Sequence, residues 1–404
     1  MAPAAQSDGR WIAAAVLVIF GLLLWAGSRA AGPEAALRVA GVPSVGAPFS
    51  DLYVFPAAVG ELAQGNNPYL RNPSDPWART YNYPRTWLLF MRYPFAAIPW
   101  LGFGIDAVWL FGLLLWWGRL GPIQGLLAGA AACSPPVILA LERCNSDLII
   151  FLVVAAAVAC LAGRRPGPAW IGLFAAAVLK LFPAAAFAAF LQRGWREARW
   201  WLCAAAGALG WWVLLELNEI RAIAHNTPTG GPAISYGSTV IFTIADLLHR
   251  DRTGEWAGYS SQAWLGAAVA VLVAGAMAWV GFRRRSVASA LPFDRALAGF
   301  HAGACIYIAT FILGSNFAYR QIFLLLCLPW LLRKDDGFPL PRVRSAAAIC
   351  LFVLLWSNAQ WSLALIAPRE LASWTLMATL ACLVGASLPP ADGHPSAKRR
   401  TATF

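Results

Sequence analysis

The chain reads as an all-α polytopic membrane protein with about 11–12 transmembrane helices and a long first extracytoplasmic loop, and three observations carry that reading. Of 404 residues, 59% are hydrophobic and 12% charged, where a soluble domain carries about 25% charged residues. Apolar runs of bilayer-spanning length, about 20 residues each, recur from Trp11 to Leu388. The net charge of +12 comes from 31 basic against 19 acidic residues and is clustered between those runs, as happens when positive flanks resist translocation and stay in the cytoplasm. An ordinary cytosolic enzyme is excluded, and the basic excess needs no nucleic acid to explain it.

The elements follow in order. Trp11 to Gly27, preceded by Arg10, reads as an uncleaved first span, because the run is long for a signal peptide even though Ala-Gly-Ser-Arg-Ala-Ala-Gly after it imitates a peptidase site. Further spans are expected near residues 102–118, 123–141, 146–163, 199–217, 262–282, 295–313, 317–332, 343–360 and 370–388. Arg119, Arg164 with Arg165, Arg283 to Arg285, Arg333 with Lys334, Arg342, Arg344 and Lys398 to Arg400 all fall on one face if both termini are cytoplasmic. Residues 168–192 have basic residues at both ends, which opposes a single crossing. Pro183, lacking a donor and clashing with the preceding turn, suggests a broken helical hairpin with Lys180 and Pro183 near its outer apex; the alternative is one kinked span. Residues 1–388 then form one integral membrane domain, and 389–404 a disordered cytoplasmic tail.

Two non-spanning stretches stand out, 28–101 and 218–261. Loops this long usually carry function. In the first, Leu52, Phe55, Val59 and Leu62 recur at helical spacing and predict a short amphipathic surface helix, with Pro56 in its first turn and Gly65-Asn66-Asn67-Pro68 as its stop. Trp87 to Trp100, which contains Arg92 and Pro94, reads as interfacial or re-entrant. The second stretch has a Thr-Pro-Thr-Gly-Gly-Pro tip and an amphipathic patch from Val240 to Leu248, and its position lets it cover the first.

The eight cysteines contain no CxxC pair, and most lie in apolar runs, so they read as small hydrophobes. His225, His249, His301 and His394 are scattered, and no metal-ligand cluster or cofactor motif is visible.

Ionisable groups beside apolar spans are costly and become functional hypotheses. Asp51, Arg85, Arg143, Asp147, Lys180, Glu216 and Arg320 all fall at outer span ends or in the first loop, which predicts an outward-facing cavity holding acid and base together. Each has a plainer alternative: Asp51 or Asp147 as a helix cap, Glu142 and Arg143 as a solvated turn, Arg320 as an anchor snorkelling to headgroups. A carboxylate among cations is also what a reaction needs if it takes a proton from an alcohol and expels a phosphate.

The ordered motifs Ser50-Asp51, Gly65-Asn66-Asn67-Pro68-Tyr69, Tyr83-Pro84, Glu142-Arg143-Cys144-Asn145-Ser146-Asp147, Lys180-Leu181-Phe182-Pro183 and Asn316-Phe317-Ala318-Tyr319-Arg320 resemble glycosyltransferase family 87, over about residues 49–330. These are multispanning enzymes that use polyprenyl-phosphate sugars, usually mannose, on a lipid or polysaccharide acceptor at the outer face of the bacterial plasma membrane. The resemblance implies that Asp51 is the catalytic base of an inverting transfer needing no metal. It also implies that Lys180, Arg320 and Arg143 meet the donor phosphate, and that Tyr83, Asn145 and Arg85 contact sugar or acceptor. Two departures stand against the family pattern: Arg85 replaces a second proline after Tyr83-Pro84, and Ala318 replaces an acidic residue that would have partnered Arg320. The competing readings are a transporter or flippase of a lipid-linked precursor, which also needs broken helices and intramembrane charge, and a noncatalytic envelope-assembly protein.

Overall fold

A computed structural model describes residues 8–389 except 45, 119, 229–230, 232–233, 286–292, 334–336 and 358–362. Arg119, Lys334, Thr229, Gly230 and Pro232 of the 227–232 tip, and the tail with Lys398, Arg399 and Arg400 therefore lie outside the described residues.

The chain is an all-α polytopic membrane protein. Among the described residues, six helices are long and apolar enough to cross a bilayer: Gly9–Ala31, Phe95–Trp117, Trp195–Leu215, Tyr259–Arg284, Arg295–Ile312 and Ile366–Ser387. The remaining apolar runs are shorter than the sequence suggests. The expected span at 123–141 is two helices, Pro122–Ala132 and Pro135–Arg143, bent by 54° at Ser134-Pro135, where proline can start a helix but not continue one. The run at 146–163 is the 16-residue helix Asp147–Ala162. The run at 317–332 is a 3-10 segment, Ala318–Leu326, followed by the one-turn helix Leu328–Leu331. These short elements sit in the centre of the bundle, with Phe151, Phe323, Leu324 and Leu325 fully buried, so their irregular backbone is shielded by protein. The Gly9–Ala31 helix instead exposes Leu22, Leu23 and Trp25.

The helix Pro166–Leu179 ends where Lys180 turns to extended dihedrals, φ −152° and ψ 130°. The chain then doubles back as the 3-10 helix Phe182–Arg193, bringing Phe187 to 6.1 Å from Trp170. A 3-10 helix eclipses residues three apart, and Phe187 and Phe190 accordingly stack at 6.0 Å.

The long first loop builds a compact layer at one end of the bundle. Its surface helix is Val54–Ala63 and stops at Gly65, whose φ of +80° suits glycine. The apolar stripe differs from the expected one: Leu62 is exposed, while Glu61 is buried and accepts from Asn66 Nδ2 at 2.8 Å and Ser74 Oγ at 2.5 Å. Trp87–Phe90 forms one helical turn, and Phe95–Ala97 leads directly into the next membrane helix. The second loop contributes the helices Leu217–Asn226 and Val240–Thr253. It meets the first through Asn226 Nδ2, which donates to the carbonyls of Tyr69 (2.6 Å) and Tyr81 (3.2 Å).

A two-stranded antiparallel ladder, Ser235–Tyr236 (β1) with Asn316–Phe317 (β2), ties this second loop to the segment carrying Arg320. Gly237 makes the approach possible. Its φ is +131°, and a Cβ there would lie 1.8 Å from the Gly314 carbonyl oxygen.

Candidate active site

Asp51 is placed by packing on both sides. Phe49 adopts a left-handed conformation (φ 58°), donates its backbone N–H to the Glu142 carbonyl at 2.6 Å, and lodges its ring where Gly102 leaves room: a Cβ on Gly102 would sit 2.4 Å from that ring. The following Ser50–Leu52 turn is buried. The carboxylate does not cap the surface helix, whose N-cap is Tyr53. Its Oδ1 accepts from Arg79 at 3.3 Å and its Oδ2 from Asn145 Nδ2 at 2.5 Å. Arg79 is itself fixed by Asp75 at 2.9 Å and the Ser50 carbonyl at 2.7 Å.

The Asn145 amide connects the acid to the base. Its Oδ1 accepts from Lys180 Nζ at 3.3 Å and from the Asp147 backbone N–H at 3.0 Å, which fixes the amide's orientation. Lys180 Nζ is paired to Asp147, and Arg320 Nε lies 3.7 Å from the other oxygen of the same carboxylate. Asp147 is completely buried. One carboxylate thus holds two cations, and the partner that Ala318 appeared to remove from Arg320 is supplied by Asp147 and by Asn316, to which Arg320 also donates. Arg320 is accordingly an interior group and not a headgroup anchor.

These residues surround one cleft of about 390 Å³, lined by Asp51, Tyr83, Arg143, Lys180, Tyr319 and Arg320 among others. Arg143 approaches the Phe317 ring at 5.9 Å. Among the described residues, it is the cleft cation that makes no ion pair, and its Nε is buried without a partner. Lys180 Nζ lies 5.2 Å from the Tyr83 ring, a cation–π distance. Burial first, and the Asp51 carboxylate second, push the Tyr83 phenol well above its ordinary value, so it remains protonated.

Two expected site residues are placed differently. Arg85 lies off the cleft: it is largely exposed and pairs through Nε with Glu219 at 3.3 Å, while its backbone N–H donates to the same carboxylate at 2.9 Å. Its position after Pro84 turns it toward the second loop, so it tethers the two loops. Asn145 is buried and does not line the cleft; its amide bonds to Asp51 and Lys180. Arg79 was missed. Its one local signal is Asp75 four residues earlier, a spacing common in exposed pairs, and its bond to Asp51 spans 28 residues. Among the described residues no group of three His, Cys, Asp or Glu side chains is placed to hold a metal ion.

A buried carboxylate and several cations thus share one cleft at one end of the helical bundle. The model of glycosyltransferase family 87 matches residues 81–314, more than half of the chain. The protein belongs to that family and is a multi-pass membrane glycosyltransferase, acting on a sugar donor and an acceptor. The matched span includes Tyr83, Arg143, Asn145, Asp147 and Lys180, whereas Asp51 and Arg320 lie outside it. No curated protein matches the chain significantly, and no solved structure does.

Proposed function

We propose that the protein transfers a hexose, mannose in the first instance, from a polyprenyl-phosphate donor to a hydroxyl of a lipid or polysaccharide acceptor, with inversion at the anomeric carbon. The observation that carries the proposal is the arrangement around Asp51: each carboxylate oxygen receives one hydrogen bond, and Asn145 holds the group next to Lys180. Each oxygen keeps a further lone pair, so Asp51 serves as general base. It takes the acceptor's proton as the acceptor oxygen bonds to the anomeric carbon. The bond between that carbon and the phosphate oxygen breaks, and its electron pair leaves with polyprenyl phosphate.

The donor phosphodiester carries one negative charge and the departing monoester gains a second. Arg143, Lys180 and Arg320 receive it. Arg143 and Arg320 each have a buried Nε without a hydrogen-bond partner, so a phosphate adds bonds without first breaking good ones, and guanidinium forks suit its oxygens. Preorganised cations aimed at developing charge are the largest common source of rate enhancement. The chemistry asks for no metal, in keeping with the family resemblance. The cleft lies at the end of the bundle opposite Arg10, Arg283 and Arg284, and the positive-inside rule puts those arginines in the cytoplasm. The reaction then faces outward from a bacterial plasma membrane, with both termini inside.

The test is release of free polyprenyl phosphate from synthetic polyprenyl-phosphate mannose by proteoliposomes holding the purified protein and a mixture of envelope glycolipid acceptors. Wild type is expected to release it, and Asp51→Asn to bind donor without releasing it. Wild-type protein that binds the lipid and cleaves neither this donor nor other hexose donors overturns the proposal in favour of transport.

A further inference from the structure

A second cleft, of about 370 Å³, lies at the far end of the bundle from Asp51, where the helices Phe95–Trp117 and Pro122–Ala132 meet the start of Arg295–Ile312. Trp116, Trp117, Gln124, Asp294, Arg295 and Arg333 line it. Its acid and its amide are already bonded: Asp294 accepts from Arg333 at 2.5 Å and from the Leu297 N–H at 2.9 Å, and Gln124 holds the Gly121 N–H and the Leu332 carbonyl. The other polar groups are donors. The indole N–H groups of Trp116 and Trp117 are buried without a partner, and an indole nitrogen can only donate. The Arg295 guanidinium lies 5.6 Å from the Trp116 ring and forms no ion pair among the described residues. Gly118 makes room for it: φ there is +60°, and a Cβ would stand 2.2 Å from Arg295 Nη2.

We infer that this cleft binds the phosphate head of an anionic phospholipid from the leaflet at that end. The site is separate from the transfer chemistry and stands whether or not that reading does. Arg295 and Arg333 against Asp294 leave the cleft one positive charge in excess, which the single negative charge of a phosphodiester neutralises. A guanidinium fork suits its oxygens, and the indoles supply further donors in the same wall. A zwitterionic head would bring an ammonium group that finds no free carboxylate, because Asp294 is held by Arg333. The surroundings favour a lipid over free phosphate. Phe111 and Leu115 on one helix and Ile123 and Leu126 on the next expose their side chains, and Leu115 and Ile123 adjoin Trp116 and Gln124 in sequence, so an apolar track for acyl chains starts beside the cleft. Tryptophan at the ends of membrane helices marks headgroup depth, and basic pockets between such helices are a recurring form of headgroup site.

The experiment titrates the delipidated full-length protein in detergent with dioleoyl phosphatidylglycerol, dioleoyl phosphatidylcholine or inorganic phosphate and counts retained molecules by native mass spectrometry. Phosphatidylglycerol is expected to be held more tightly than either of the others. Arg295→Gln is expected to weaken it by about tenfold, the worth of one charge-assisted hydrogen bond, and Trp117→Phe by about threefold, that of a neutral one. Arg143→Ala, in the first cleft, is expected to leave it unchanged. Equal retention of phosphatidylcholine, or undiminished affinity in Arg295→Gln, overturns the inference. Trp117→Phe keeps the ring and carries the test even where Arg295→Gln does not fold: unchanged affinity in it also overturns the inference. Loss of the lipid in Arg143→Ala moves it to the Asp51 cleft, and inorganic phosphate bound as tightly as the lipid makes the site one for a soluble anion; either result overturns the assignment.

Discussion

Two clefts of nearly equal size lie at opposite ends of the bundle, and size does not distinguish them. The first, about 390 Å³, holds Asp51 and its cations; the second, about 370 Å³, is lined by Trp116, Trp117, Gln124, Asp294, Arg295 and Arg333. The long helix Phe95–Trp117 connects them, with Gly102 against Phe49 at one end and the two tryptophans at the other. In the second cleft the acid and the amide are occupied with structure, while the indole N–H groups of Trp116 and Trp117 are buried without a partner. Asp294 caps the Arg295–Ile312 helix by accepting from Leu297 N–H at 2.9 Å and also binds Arg333 at 2.5 Å. Gln124 caps Gly121 and reaches the Leu332 carbonyl at 2.7 Å. In the first cleft, buried donors on Arg143 and Arg320 and one oxygen of Asp147 are left without hydrogen bonds. Unfinished bonding on buried charged groups, and not volume, marks the end where a substrate is expected.

That contrast can be broken by substitution. Asp51→Asn is expected to lower turnover by about 10²–10⁴-fold, the usual worth of a general base, with donor binding retained in a lipid-binding assay. Asp147→Asn leaves Lys180 and Arg320 without their shared counter-ion, and removing one partner of a buried pair costs about 3–5 kcal/mol; thermal unfolding in detergent should show it. Arg143→Ala should weaken the donor KM by about 10–100-fold, the range of one charge-assisted hydrogen bond, with little change in unfolding temperature because Arg143 holds no carboxylate in the resting cleft. Gly102→Ala drives a methyl into the Phe49 ring, and overpacking of about 1–3 kcal/mol should appear as lost turnover together with lost stability. Asp294→Ala sharpens the comparison from the other side: it should cost about 1 kcal/mol as a lost cap and leave turnover at the wild-type level in the polyprenyl phosphate release assay.

The fold class and the long helices were legible because hydropathy and charge act locally, over windows of a few turns. Part of the cleft lining was legible as well, since Asp51, Tyr83, Arg143, Lys180 and Arg320 line it, whereas Arg85, Asn145, Asp147 and Glu216 do not and the lining residue Arg79 carries no such signal. The bonding within the cleft was not legible. The family resemblance gives Asn145 to sugar or acceptor, and only the fold shows its amide spanning Asp51 and Lys180. Arg79 and Glu219 lie in the two loops, and each acquires its role from a partner far away in sequence. The shortened central elements were hidden for another reason. Hydropathy registers that a run is apolar, but the bend at Ser134-Pro135 and the 3-10 course of Ala318–Leu326 depend on packing inside the bundle.

The ladder between Ser235–Tyr236 and Asn316–Phe317 is only two residues long on each side, yet it joins a loop that reaches the mouth of the cleft to the segment that ends in Arg320. With Tyr236 also bonded to Thr310 at 2.8 Å, the loop and the guanidinium are riveted to one plate. The entrance loop and Arg320 therefore share one short frame, and a substitution that opens the ladder disturbs both of its ends.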